Sequence, residues 1–188
     1  MTVGFQDPPV RYDFSRTREE LRQMGHNARQ APSGNSHITG LTSMDMTYTI
    51  HAGFTLVTRP GLGVCAWPGD IRIRIGHEQM TVYVDRRYPP GTCQHRAVLL
   101  HENEHVRINR EALQALRIQV QTALQPVVDR SFPLPGHSEE EVRTRSMGVL
   151  QAAMADLVAR IQTGRDARHR ALDSPAGYER TRRMCPAW

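Results

Sequence analysis

The chain has no lysine, only three cysteines and no long apolar run, and each scarcity removes a class of function. No stretch approaches the roughly 18 consecutive apolar residues of a membrane span, which excludes a spanning helix. Cys65, Cys93 and Cys185 are too few for a disulfide scaffold, and none of them pairs as CxxC, which excludes a zinc knuckle. The N-terminus MTVGFQDPPVRYDF has no basic start followed by an apolar run, so the protein is either cytosolic or has lost an export signal. Aromatic residues make up 6% and apolar residues 39%, low values that still lie clear of a disordered composition.

All 24 basic residues are arginine, giving a net charge of +5 and a pI near 9.6. That excess fits either an anionic partner or simple genome composition. Arg165, Arg168, Arg170, Arg180, Arg182 and Arg183 form a basic C-terminal zone. Acids are interleaved with them and aromatic stacking partners are lacking, so they read as a solvated face rather than a nucleic-acid site.

What is present suits one domain with a buried core over residues 47–188, preceded by a weakly patterned segment, 1–46. In that segment Thr17, followed three places on by Glu20, forms a capping box that opens a short helix through Met24. APSGNSHITG reads as a loop, and TYTIHAGFTLV as one or two strands ending at Pro60-Gly61. IRIRI alternates Ile71, Ile73 and Ile75 with Arg72 and Arg74; the turn-like GHEQ and then MTVYVD complete a hairpin with one face on the core.

Helical spacing follows. Leu99, Val106, Leu113, Val120 and Val127 recur every seven residues, with no Gly or Pro from Gln94 to Gln125, which predicts an amphipathic helix. A proline-rich connection, 125–138, leads to a second helix from about Glu139, striped by Met147, Leu150, Met154, Leu157 and Ile161 and loosened or ended by Gly164. Ser174-Pro175 opens a short last helix. The fold class expected is α+β: a small antiparallel sheet with an edge hairpin, packed on two long antiparallel helices.

The first long helix carries VLLHENEHVRIN, residues 98–109. Its His-Glu-x-x-His spacing would arise in roughly two shuffles per hundred of this composition. On a helix, residues four apart share a face, so His101 and His105 can hold one metal ion, Zn2+ by donor type, with Glu102 beside them as general base. A catalytic zinc needs a third protein ligand. The antiparallel return of the second helix brings residues of about 160 to 175 level with His105, where Asp166, His169 and Asp173 are the candidates. Each also has a plain reading as a solvated or capping residue. Glu139, Glu140 and Glu141 are first-turn acids favoured by the helix dipole, and His37, His51, His77, His95 and His137 show no ligand spacing.

With zinc in place the expected chemistry is peptide hydrolysis by a zinc-activated water, with Glu102 taking its proton and Tyr178 a candidate donor to the oxyanion. MTVYVD would offer a free strand edge to an extended peptide.

The succession TVYVDRRYPPGTC, LLHENEHVRIN, a second long helix and HRALDSPAGY resembles a group of small, typically exported bacterial proteins, the DUF922-like zinc peptidases with a minimal zincin core. The resemblance spans residues 65–185, and its specific element is the His-Glu-x-x-His motif. It implies a zincin-like catalytic domain over 47–188, His101, His105 and Asp173 as metal ligands and Glu102 as base. It also implies a peptide or protein substrate, a periplasmic or secreted location, and a Cys93–Cys185 or Cys65–Cys93 bridge. Where the related pattern has His-Gly after the aspartate, this chain has Tyr178-Glu179. The alternative readings are a non-catalytic zinc-binding or pseudo-peptidase envelope protein, and an arginine-rich binding protein with a chance motif. Oligomeric state is not encoded legibly.

Overall fold

The longest strand sets the architecture. A computed structural model describes residues 1–27 and 39–188; the predicted loop APSGNSHITG lies, but for its last two residues, outside them. The elements are β1 (Thr2–Gln6), β2 (Arg11–Asp13), α1 (Arg18–Asn27), β3 (Gly40–Arg59), β4 (Gly63–Val84), α2 (Cys93–Ser131), β5 (Leu134–Gly136), α3 (Glu139–Leu172) and α4 (Pro175–Arg182). Every other strand pairs with β4 in one five-stranded sheet.

The antiparallel sheet expected from the sequence is corrected by this pairing. β1 and β2 both run parallel to β4, with Thr2 opposite Arg72 and Arg11 opposite Thr81. The offset is the same in both ladders, and the break between them falls at Pro8 and Pro9, which have no N–H to donate. β5 pairs antiparallel with Val64–Ala66. Parallel partners so distant in sequence leave no local signature, whereas a hairpin does.

The predicted edge hairpin at GHEQ is also corrected, because β4 runs straight through those residues. Gly76 serves close approach rather than a turn: a Cβ there would stand 2.5 Å from the Gln6 carbonyl oxygen on the neighbouring strand. Nor is MTVYVD a free edge, since Thr81–Tyr83 are hydrogen-bonded to β2. The real hairpin is β3–β4, joined at Pro60–Leu62, where Leu62 N–H donates to the Arg59 carbonyl at 3.0 Å and Gly61 takes a positive φ of 73°.

The chain forms two compact units. The first comprises residues 1–6, 46–76 and 112–163. Its core sets Ile71, Ile73 and Ile75 against Leu116, Val120, Leu124 and Val128 of α2 and Leu150, Met154 and Leu157 of α3. The sequence reading ends the first helix near Gln125, yet α2 continues through Pro126 to Ser131. An interior proline costs about 3 kcal/mol. Leu124 and Val128 on either side of it are both buried, each worth roughly 1.5–3 kcal/mol, so continuing the helix wins.

The second unit comprises residues 7–45, 77–111 and 164–188. It holds Met80, Val82 and Val106 as a small core, with Val10, Met44 and Leu99 against it. α1 begins at the predicted capping box: Glu20 N–H donates to Thr17 Oγ1 at 3.2 Å, and Glu20 Oε2 accepts from Thr17 N–H at 2.7 Å. α3 does not end at Gly164, whose helical cost is only about 1 kcal/mol. Its last turns are held to α2 by Arg168, which donates to Glu111 at 2.6 Å, and by His169. Cys93, the first residue of α2, is disulfide-bonded to Cys185 beyond α4, and Cys65 is a free thiol.

No helix among the described residues is long and apolar enough to cross a membrane.

Candidate metal centre

α2 is helical across the whole motif, so His101 and His105 lie one turn apart, edge to face, with ring centroids 5.0 Å from each other. His101 and Glu102 are buried, at 8% and 5% exposure, because they lie on the side of α2 that faces the rest of the second unit. The helical register therefore does what the sequence spacing requires of it.

α3 ends at Leu172, and Asp173, just beyond it, places Oδ1 3.1 Å from His101 Nε2 and 3.0 Å from His105 Nε2. Ser174 then caps α4 by accepting from Gly177 N–H at 3.2 Å, with Pro175 in the first helical turn. A Cβ on Gly177 would stand 1.8 Å from the Leu172 carbonyl oxygen, so only glycine permits this tight reversal. The reversal brings two α4 side chains over His101. Tyr178 stacks on its ring at 5.4 Å, and Thr181 Oγ1 lies 3.3 Å from its Nδ1.

Both imidazoles have their outer nitrogens engaged. Thr181 sends its own proton to the Gly177 carbonyl, leaving its oxygen to accept from His101 Nδ1–H. His105 Nδ1 lies 2.7 Å from His169 Nδ1. The two Nε2 atoms thus turn inward on one carboxylate, and the three donor atoms lie within 4.8 Å of one another. Two imidazole lone pairs facing a carboxylate oxygen repel unless a cation stands among them. The donor set fits a divalent ion of zinc's preferences, two nitrogens and an oxygen.

The electrostatics agree with that crowding. Burial pushes the Asp173 carboxyl up, but the hydrogen bonds and charges of His101 and His105 outweigh it and hold it well below the usual carboxylate range. For His105 burial works downward, while the Asp173 hydrogen bond and the Glu102 and Asp173 charges carry its pKa above the ordinary value. A proton on His105 takes the cation's part.

No family model matches the chain, nor does any curated protein or solved structure. Its chemistry has to be read from its own residues.

Glu102 is buried among these groups, and burial raises its pKa against the opposing pull of His105 and His101. Its Oε2 accepts from the Thr42 hydroxyl at 2.9 Å. Gly40 passes so close that a Cβ there would stand 2.6 Å from Glu102 Oε1, so the start of β3 is fitted onto this carboxylate. The Tyr178 hydroxyl lies 3.4 Å from Asp173 Oδ1, and burial with the nearby carboxylates pushes its pKa far up, so it stays a proton donor.

Of the residues singled out from the sequence, His101, Glu102, His105, Asp173 and Tyr178 are brought together. His169 is also there, but behind His105 rather than beside the donor atoms. Asp166 accepts from Arg165 at 2.8 Å and is not part of the group. Thr42, Asn109 and Thr181 contact the site without having been singled out. Asn109 lies one turn beyond His105 on the same helix face, a legible signal. Thr42 and Thr181 come from distant elements and have none.

Proposed function

We propose that the protein is a zinc-dependent peptidase in which His101, His105 and Asp173 hold the metal and Glu102 is the general base. The observation that carries this reading is the inward convergence of both Nε2 atoms on Asp173 Oδ1 while both Nδ1 atoms are otherwise engaged. When bound, zinc supplies Lewis acidity that lowers the pKa of water and polarises a carbonyl.

The chain's own residues supply the rest. Glu102, its pKa raised by burial, is placed to accept a proton from water and return it to the leaving amine. Thr42 holds the carboxylate in place through Oε2. Tyr178, kept protonated, is the candidate donor to an oxyanion. An extended peptide can add to β3, which pairs only with β4 among the described residues and whose Thr42 touches Glu102. The Cys93–Cys185 bridge supports a periplasmic or secreted setting, where disulfides persist.

The deep burial of Glu102 favours a second reading, a non-catalytic zinc-binding envelope protein. One experiment separates them. Glu102→Gln keeps the ligands, so it should bind zinc like the wild type and cleave nothing in a peptide library that the wild type cleaves. Equal cleavage by both proteins, or none by either, defeats the peptidase reading.

A further inference from the structure

His169 is a histidine at the metal centre whose ring nitrogens both point away from the three donor atoms. Its Nδ1 lies 2.7 Å from His105 Nδ1, and its Nε2 lies 3.0 Å from Asn109 Oδ1. The two imidazoles lie with ring centroids 4.9 Å apart, and Asn109 is buried, at 5% exposure.

The polarity of this chain of contacts is set at its far end. A side-chain amide oxygen only accepts, so the hydrogen on His169 Nε2 must point at Asn109. A neutral His169 then has a bare Nδ1, which can only accept. The hydrogen between the two Nδ1 atoms therefore belongs to His105. With its Nδ1–H committed outward, His105 has Nε2 free to act as an electron-pair donor. Metal-binding histidines commonly have this second hydrogen bond supplied by a carboxylate, a backbone carbonyl or water. Here it comes from a second imidazole, itself oriented by an amide one turn further along α2.

We infer that His169 and Asn109 are positioning residues that fix the tautomer of His105 for metal binding, His169 being a relay and not a ligand. This rests on the metal-centre reading above, and it assigns a role to one of the sequence candidates that the donor set leaves out. The three residues span two helices: His105 and Asn109 share a face of α2, and His169 reaches them from the last turns of α3.

Zinc affinity measured by chelator competition tests the inference, together with nitrogen-proton spectra of the zinc-loaded protein. His169→Phe preserves a ring and removes the acceptor; it should raise the zinc dissociation constant about 10–100-fold and abolish the slowly exchanging Nδ1–H signal of His105. His169→Asn puts an amide oxygen near the position of the lost Nδ1 and should recover most of the affinity. Asn109→Leu should weaken zinc like His169→Phe, and the double variant should be little worse than either single one. Denaturation of the metal-free variants provides the control that a packing role alone would move. Wild-type affinity in His169→Phe, or an Asn variant as weak as the Phe variant, overturns the relay while leaving the metal site standing. A wild-type protein that binds no zinc overturns both.

Discussion

Asp173 Oδ1 lies 3.0 Å from His105 Nε2, so a carboxylate at the end of α3 and an imidazole near the start of α2 compete for one proton or one cation. In the metal-free protein the raised pKa of His105 means that its protonated form is favoured by folding. That contribution is complete below the ordinary histidine value of 6.5 and is lost as pH rises through the raised one. The lowered pKa of Asp173 works the other way: its contribution is complete above the ordinary 3.8 and is lost as pH falls through the depressed value. Chelator-treated protein should therefore gain most from this pair between about pH 4 and 6.5, and lose the His105 share as pH rises through its raised pKa. Melting curves across pH check this, with Asp173→Asn expected to flatten the profile. Zinc should bind more tightly as pH rises over the His105 titration, because the ion displaces a proton.

The Thr42 hydroxyl gives Glu102 the one side-chain hydrogen bond found for its carboxylate among the described residues. Thr42→Val keeps the shape and removes the donor, leaving a buried acid unsatisfied, at a cost of about 1–3 kcal/mol. Urea denaturation reads that loss. The pKa of Glu102 should rise further, moving the acid limb of any peptidase profile to higher pH.

The turn from α3 into α4 depends on Gly177. A Cβ there meets a backbone oxygen at 1.8 Å rather than a side chain that can move aside. Gly177→Ala should destabilise by about 3 kcal/mol, the upper end of overpacking costs. It should also weaken zinc binding, by displacing Tyr178 and Thr181 from His101. A variant with wild-type stability and zinc affinity would show that α4 does not brace the site.

The Cys93–Cys185 bridge joins residues 92 apart and ties the tail after α4 to the start of α2. A loop of that size is worth about 4–5 kcal/mol on the chain-entropy account. Reduction, or Cys93→Ser, should lower the melting temperature strongly and loosen zinc, whereas Cys65→Ser should change neither. Equal effects of Cys65→Ser and Cys93→Ser would argue against this pairing.

The site was far more legible in the sequence than the sheet. His101, Glu102 and His105 could be read because an i, i+4 repeat on a helix is a local pattern. An antiparallel return narrowed the third ligand to the region of Asp166, His169 and Asp173, and it was the resemblance, not the helix geometry, that singled out Asp173. The sheet is built on pairings such as Val3 with Ile73 and Tyr12 with Val82, in which β1 and β2 are too short to show a period and the visible alternation in β4 says nothing of partners so far away in sequence. GHEQ has the composition of a turn, but Gly76 is there because β1 passes too close for a side chain. Pro126 and Gly164 read as helix ends because their local cost is visible in sequence. The burial of Leu124 and Val128, and the contacts of Arg168 and His169, which outweigh that cost, are not.

The most direct test of the account is the zinc content of purified protein after dialysis against a weak chelator, compared with His101→Ala and Asp173→Ala. About one equivalent is expected in the wild type, as three protein ligands should retain it, and far less in either variant. Less than about half an equivalent in the wild type, or the same content in all three proteins, would contradict it.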